Sequence, residues 1–159
     1  MPSRSQANHL ALLLLLLSEA YEKKTWHGPN LRQSIRGVSA RAAAWRPAPG
    51  RHNIWELTLH SAYWKYAVRR RVLKGARGTF AAKGYDWFAM PKAHDDAEWL
   101  RCKQLLDDEH RKMVAAIVGL SPRELQKHLR TIFGVAYHDV YHAGQIRMLR
   151  RLQESRARR

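Results

Sequence analysis

Apolar residues recur at helical spacing in four long stretches of the chain. The apolar face of the first stretch consists of Leu10, Leu13, Leu14, Leu17 and Tyr21. The pattern predicts further long helices over residues 53–74, 95–117 and 121–153, and a shorter one over 31–38. No run of alternating apolar and polar residues indicates a β-strand. The sequence therefore predicts an all-α protein, and a four-helix bundle is an economical way to bury four apolar faces.

Residues that favour helix ends are found at the limits of these stretches. Asn53 is a good N-cap, and Glu56 lies three residues later, where its side chain can bond back to the backbone of the cap. Ser121 is followed by proline and, two residues on, by glutamate, which is the same signal with a proline in the first turn. Gly75 and Gly78 are expected to end the second long helix.

The segment from residue 79 to 93 has a different character. It contains Gly84, Trp87, Phe88 and Pro91 without a clear helical period. We expect an aromatic loop here, and its position between two long helices favours a loop that covers an opening of the bundle.

Length and composition indicate one domain of residues 1–159, with short flexible tails at about 1–8 and 154–159. The apolar run that ends at Leu17 is too short to span a bilayer and is followed at once by charged residues, so we interpret it as a buried helix of a cytoplasmic protein rather than a leader or a membrane anchor. The single cysteine, Cys102, excludes an internal disulfide and is expected to pack as a small apolar side chain.

The net charge of +16 raises a second hypothesis. Arginines are densest at residues 69–71 and in the C-terminal 150–159 region. Such clusters can bind nucleic acid or another polyanion, because neutralised phosphates release counterions. They also suit the C-terminal ends of helices, where cations interact favourably with the helix dipole. Because no nucleic-acid-binding motif is visible, we favour the second interpretation.

Two histidines on the last helix have the spacing of metal ligands. His138 and His142 are four residues apart, which places both rings on one helix face. Val135, Ile146 and Leu149 share this arc, so the imidazoles should point into the bundle. A bound metal or a hydrogen-bonded core partner would each satisfy such buried rings, and the spacing alone leaves both alternatives open.

A third histidine, His60, lies on the apolar face of the second long helix. Three inward imidazoles resemble a metal site with a vacant position, and neutral imidazole suits zinc, nickel, iron or copper. Glu56, one turn earlier, is a candidate to orient a ligand or a bound water, although it can equally serve only as the helix cap. Gln145 lies one turn beyond His142 and is a candidate pocket or helix-packing residue, whereas Asp139 points away from this face.

The other histidines carry weaker signals. His27 lies in the break after the first helix and is a candidate for the pocket mouth, and His52 is expected nearer the solvent. We expect surface positions for the last four, which are His9, His94, His110 and His128.

Three motifs together resemble the DinB-like (DinB/YfiT) superfamily. They are the residues 26–29 (Trp-His-Gly-Pro), the residues 51–56 (Arg-His-Asn-Ile-Trp-Glu) with His60, and the residues 138–146 (His-Asp-Val-Tyr-His-Ala-Gly-Gln-Ile). The resemblance implies an up-down-down-up four-helix bundle. It also implies a divalent metal, nickel or zinc first and iron or manganese as alternatives, on His60, His138 and His142. The connection at residues 119–121 is shorter than in many relatives.

The resemblance also bears on function. It implies a metal-dependent enzyme, either a hydrolase or a transferase that uses a low-molecular-weight thiol, and it implies a homodimer. The substrate is expected to be a small molecule whose identity the motifs do not give. The competing hypothesis is a basic protein that binds nucleic acid or another polyanion, with a structural metal or none.

Overall fold

Six helices make up the regular structure of the residues that a computed structural model describes, which are 4–73 and 79–158. The helices are α1 (Arg4–Tyr21), α2 (Leu31–Ile35), α3 (Ala40–Ala44), α4 (Ile54–Val72), α5 (Asp96–Val118) and α6 (Pro122–Ala157). No β-strand occurs in these two ranges, so the predicted all-helical class is confirmed. The expected helix over 31–38 is shorter than predicted, because the backbone becomes extended at Arg36 and α2 ends at Ile35. The sequence did not predict α3, which begins after Ser39, whose side chain accepts a hydrogen bond from the backbone N–H of Ala42.

The helix caps predicted from the sequence are present. The Asn53 side chain accepts from the backbone N–H of Glu56, whose carboxylate accepts in return from the Asn53 backbone. Ser121 and Glu124 form the same reciprocal pair at the start of α6. α4 ends at Val72, and the glycines expected to end it, at 75 and 78, lie outside the described residues.

Helical backbone extends into both segments that were expected as tails, since α1 begins at Arg4 and α6 reaches Ala157. Contacts with the short helices hold the end of α6. Gln153 donates to the Ala42 carbonyl, and Arg150 donates to the carbonyls of Ser34 and Arg36. Arginine, glutamate and alanine, which dominate the last turns, are also good helix formers.

The buried apolar residues form two main clusters, one towards each end of the long helices. In one cluster the start of α4 (54–62) packs with the later part of α6 (143–149), and in the other the end of α4 (68–72) packs with the earlier part of α6 (125–136). α4 and α6 therefore run in opposite directions. This arrangement brings the middle of α4 next to the middle of α6.

A buried ion pair crosses the bundle at this central level. Lys65 of α4 contacts the Asp139 carboxylate of α6, and both side chains are almost completely buried. The Lys65 ammonium also lies over the Tyr21 ring, 4.6 Å from its centroid. Burial lowers the pKa of Lys65, while the charge of Asp139 opposes this shift.

His110 lies in the core, which corrects the expectation of a surface position. Its exposed fraction is 4%, and its ring stacks on Tyr21 with the centroids 3.8 Å apart. The reason lies in the apolar face of α5, because His110 falls between the buried Leu106 and Met113 at helical spacing. Burial, with Lys65 and Arg32 nearby, lowers the pKa of His110 to about 2.

The expected packing of Cys102 agrees with the structure. Cys102 is buried in the first cluster, and burial raises the pKa of its thiol to about 12. Of the other histidines expected at the surface, His9 and His94 are exposed, whereas His128 is half-buried. Of the helices described here, none combines the length and the apolar character that a membrane crossing requires.

Candidate metal centre

Three histidines from α4 and α6 converge at the centre of the bundle. The Nε2 atom of His138 lies 3.0 Å from the Nε2 of His60 and 3.0 Å from the Nε2 of His142. The potential ligand atoms of the three residues all lie within 4.8 Å of one another. His60 and His142 are buried and His138 is half-buried, so the cluster lies at the boundary between the core and a cavity.

The backbone geometry of both helices produces this convergence. His138 and His142 are one turn apart on α6, and their rings lie on the same side of the helix. His60 comes from the antiparallel α4, where it lies between Leu57 and Ala62, two members of the apolar cluster that packs against α6. The predicted inward orientation of all three imidazoles is therefore what the structure has.

Hydrogen bonds at the far side of two rings fix their tautomers. His60 donates through Nδ1 to the backbone carbonyl of Asp86 at 3.0 Å, and His142 donates through Nδ1 to Oε1 of Gln145 at 2.6 Å. The Gln145 amide donates in turn to the Tyr141 hydroxyl at 3.1 Å. With the proton on Nδ1, each Nε2 carries a lone pair that faces the other rings.

The electrostatic surroundings keep the three imidazoles neutral. Burial lowers the pKa of His60, partly opposed by its hydrogen bond to Asp86. Burial and the neighbouring His142, His60 and Lys65 lower the pKa of His138 to about 3. Burial also lowers the pKa of His142 to about 4, although the bond to Gln145 acts in the opposite direction. Neutral imidazole is the form that binds a metal ion.

The donor set fits a divalent cation. Two imidazole nitrogens at about 2.0–2.1 Å from a tetrahedral zinc lie roughly 3.3–3.4 Å apart. The distances from His138 Nε2 to the other two Nε2 atoms, 3.0 Å each, are slightly shorter than this separation. Without an ion, the lone pairs of His60 and His142 both approach a single atom of His138, whose own Nδ1 is buried without a hydrogen-bond partner among the described residues. A cation bound by the three Nε2 atoms would accept all of these lone pairs together.

The aromatic segment between α4 and α5 covers one side of the cluster, where the sequence predicted a covering loop. Trp87 is sandwiched between His52 and His60, with ring centroids 3.5 Å and 4.0 Å away and planes 7° apart in both cases. Asp86 adopts a positive φ of 62°, and its carboxylate accepts from the Trp64 indole at 2.8 Å and lies 3.2 Å from His60 Nδ1. This unusual backbone conformation places both the carbonyl and the carboxylate of Asp86 beside the histidine.

A cavity of about 650 Å³ opens next to the three histidines. It lies between α4, α6 and the covering loop. Its walls are formed by His60, Trp64, Val68, Arg71, Asp86, Trp87, Arg130, Thr131, Gly134, Val135, His138, Tyr141 and His142. The volume is in the range that binds small molecules, and the wall is mostly apolar and aromatic with a few polar groups.

The other residues singled out from the sequence are placed differently. Glu56 caps α4 and bonds to Arg46 and His52, with Arg46 Nη1 at 2.7 Å and His52 Nδ1 at 3.2 Å. It thus touches the site through His52 and Trp87, while the direct partner of His60 is Asp86. His27 is exposed and does not line the cavity in the part of the chain described here, and Asp139 pairs with Lys65.

Sequence reasoning did not single out Asp86, Trp87 or Tyr141 as individual site residues. The aromatic, aperiodic composition of 79–93 was the available signal for Trp87. Asp86 is 26 residues from His60, and its bond through a backbone carbonyl leaves no trace in residue type.

The fold and this centre agree with a comparison against protein families. The family model of the DinB superfamily matches residues 25–146, which includes α4, α5 and the histidines of α6. The chain therefore belongs to the DinB superfamily, as its motifs predicted. No curated protein and no solved structure matches the chain.

Proposed function

We propose that this protein is a metal-dependent enzyme that acts on a small molecule, as a thiol-dependent transferase or a hydrolase. The observation that carries the proposal is the convergence of three neutral histidine Nε2 atoms on one point at the wall of a cavity of about 650 Å³. Three protein ligands leave a coordination position for a reactant, which distinguishes catalytic from purely structural sites. Membership of the DinB superfamily, whose members often bind metals, supports the same interpretation.

His60, His138 and His142 would hold the ion, with nickel or zinc as the first candidates and iron or manganese as alternatives. A divalent ion supplies a Lewis acid that favours the deprotonated form of a water or a thiol. The Asp86 carbonyl and Gln145 Oε1 keep two ligand rings in one tautomer and orientation. Trp87 covers His60 and limits the access of bulk water to that side of the centre.

Tyr141 contributes a hydroxyl group to the wall of the cavity. It lines the cavity beside His142, and its hydroxyl oxygen accepts a hydrogen bond from Gln145. Because the oxygen is already an acceptor, its own hydrogen is directed elsewhere and can be donated to an oxygen of a substrate in the cavity. We assign Tyr141 the role of orienting the substrate.

The direction of the helices supports the up-down-down-up arrangement that the family resemblance implies. α1 and α6 run from the second apolar cluster towards the first, and α4 and α5 run the opposite way. The residues behind this inference are Leu13, Leu17 and Tyr21 of α1 and Trp99, Leu106, Met113 and Ile117 of α5. The open end of the centre then lies between the second and last helices of the bundle.

The polyanion hypothesis loses support from the placement of the arginines. Arg69 pairs with the buried Glu109 at 3.0 Å, and Arg150 bonds to the carbonyls of Ser34 and Arg36. Two members of the densest clusters thus stabilise the fold. This favours the enzyme over the nucleic-acid-binding protein.

Cobalt(II) substitution tests the proposal without a known substrate. We expect the cobalt-loaded protein to have a visible spectrum that changes when cysteine or glutathione is added, because a thiolate enters the vacant position. The His128→Ala variant, which changes a histidine of α6 away from the cavity, should respond in the same way, and His138→Ala should not. A spectrum insensitive to thiols, together with no metal-dependent thiol transfer or ester hydrolysis, would overturn the proposal.

A further inference from the structure

The cavity has a charged end, opposite to the three histidines. Arg71 of α4 and Arg130 of α6 both line this end of the cavity, and both residues are exposed. Within residues 4–73 and 79–158, neither guanidinium has a hydrogen bond or an ion pair with another side chain. Other arginines of the same helices are engaged, such as Arg69 with Glu109 and Arg150 with Ser34.

The antiparallel packing of α4 and α6 brings these two arginines to the same end. Arg71 lies 11 residues after His60, about 16 Å along the helix axis, and Arg130 lies 8 residues before His138, about 12 Å along its axis. Because the helices run in opposite directions, both displacements point the same way from the metal centre. The guanidinium groups therefore converge two to three turns away from the histidines.

The wall between the two ends is apolar and open. Val68 and Val135 line it, and both belong to the apolar cluster at this end of the bundle. Gly134 also lines it, and a Cβ added at Gly134 would meet no atom within 4 Å. Glycine is less favourable than alanine within a helix, so the missing side chain at Gly134 leaves room in the cavity at the expense of helix stability.

We propose that Arg71 and Arg130 form an anion-binding subsite, and that the small molecule bound in this cavity is elongated, with a carboxylate or phosphate at one end and its reactive thiol or ester at the other. The distance between the two ends is on the order of 10 Å, given the axial offsets and the reach of an arginine side chain. Arginine is suited to this role because its planar guanidinium binds carboxylate and phosphate oxygens in pairs.

The charge balance of the cavity supports this class of ligand. Among the described residues that line the cavity, Asp86 is the one carboxylate, and it lies at the histidine end, where it is bonded to Trp64 and His60. Within the described part of the chain, the cavity wall thus offers no acidic side chain to neutralise the arginine end. Thr131, which lines the same end, offers a hydroxyl as a further hydrogen-bond donor.

This inference names the substrate class of the proposed enzyme and so rests on the proposed function.

The test uses three probes of matched length, which are 8-mercaptooctanoic acid, 7-mercaptoheptylphosphonic acid and the neutral 8-mercapto-1-octanol. Binding to the cobalt-loaded and to the metal-free protein is measured by calorimetry, and the cobalt spectrum separately reports whether sulfur reaches the metal. The acid and the phosphonate distinguish the two anionic groups.

We expect at least one anionic probe to bind about tenfold more tightly than the alcohol, because hydrogen bonds between ionised partners are roughly twice as strong as those between neutral groups. The Arg71→Met/Arg130→Met variant should lose this preference while its affinity for the alcohol is unchanged. Arg71→Lys/Arg130→Lys should retain part of it, since the charge remains. Arg151→Met, which removes an exposed arginine of α6 outside the cavity, should behave as wild type.

Equal binding of all three probes to the wild type, an unaltered preference in the double methionine variant, or no binding of any probe would each overturn the subsite. A preference for the anionic probes without a thiol-dependent change of the cobalt spectrum would instead support the subsite and count against the proposed chemistry at the metal. The two proposals can therefore fail separately. Circular dichroism melts of the variants verify that they are folded.

Discussion

Trp87 lies flat against the His60 imidazole, with ring centroids 4.0 Å apart and 7° between the planes. This contact links the covering loop directly to a proposed metal ligand. We expect Trp87→Leu to weaken metal binding by about tenfold, because the groups that surround ligand histidines typically change metal affinity by 10–100-fold. Competition with a chromogenic chelator measures the effect.

Trp26→Leu is the matched control for this change. Trp26 is 95% exposed, so its removal should leave the metal affinity at the wild-type value. If Trp87→Leu and Trp26→Leu bind metal equally well, the loop does not protect the centre.

The hydrogen bond from His142 to Gln145 leads to a second prediction. Gln145→Leu removes the oxygen that lies 2.6 Å from His142 Nδ1 and fixes the tautomer of this ring. We therefore expect metal affinity to fall by about 10–100-fold. Gln145→Glu keeps an acceptor oxygen at the same position and should bind metal at least as tightly as wild type.

Tyr141→Phe tests which of the two hydrogen bonds of Gln145 matters for metal affinity. It removes the hydroxyl that accepts from the amide but leaves Oε1 available to His142, so metal affinity should change little. A loss of affinity in Tyr141→Phe as large as in Gln145→Leu would contradict the assigned roles.

The buried pair of Lys65 and Asp139 should show strong coupling in folding stability. Lys65→Met and Asp139→Leu each leave one uncompensated charge in the core, and we expect either change to cost about 3–5 kcal/mol of unfolding free energy. The double variant removes both charges and should recover most of this loss. Urea unfolding of the wild type, the two single variants and the double variant completes this double-mutant cycle. Additive effects of the two single changes would show that the two charges do not interact.

His110 should make folding stability depend on pH. Its pKa is lowered by burial to about 2 from an ordinary value near 6.5, so the folded state favours the neutral ring. The stabilisation from this difference is complete above pH 6.5 and is lost progressively as pH falls towards 2. The expected slope is about 1.4 kcal/mol per pH unit in that window.

His110→Gln isolates this contribution. The unfolding free energies of metal-free wild type and variant are compared between pH 7 and pH 4.5, so that titration at the other histidines is common to both proteins. We expect the wild type to lose stability more steeply than the variant. Parallel curves would mean that His110 is not held neutral in the folded protein.

Local sequence signals predicted the helices of this fold well. Features that depend on contacts between distant segments could not be predicted in this way. The caps at Asn53 and Ser121 and the face shared by His138 and His142 depend on spacing along one helix, so they could be read from the chain. The helical period that places His110 between Leu106 and Met113 also indicated burial. The sequence-based expectation was nevertheless a surface position, because histidine is polar.

Contacts between distant segments had no comparable signature. The bond of His60 to the Asp86 carbonyl depends on a positive φ in an irregular loop. The convergence of Arg71 and Arg130 depends on the antiparallel register of α4 and α6. Both require the packed structure, because residue type alone does not specify which loop or helix end will be adjacent.

Metal content is the most direct test of the three-histidine centre. Wild-type protein and the His142→Ala variant, both untagged and purified without chelators, are reconstituted with zinc or nickel, dialysed and measured by elemental mass spectrometry. We expect close to one metal ion per chain in the wild type and a strong loss in the variant, with His128→Ala retaining the wild-type content. A wild type without metal after reconstitution, or a His142→Ala variant that keeps its full content, would contradict it.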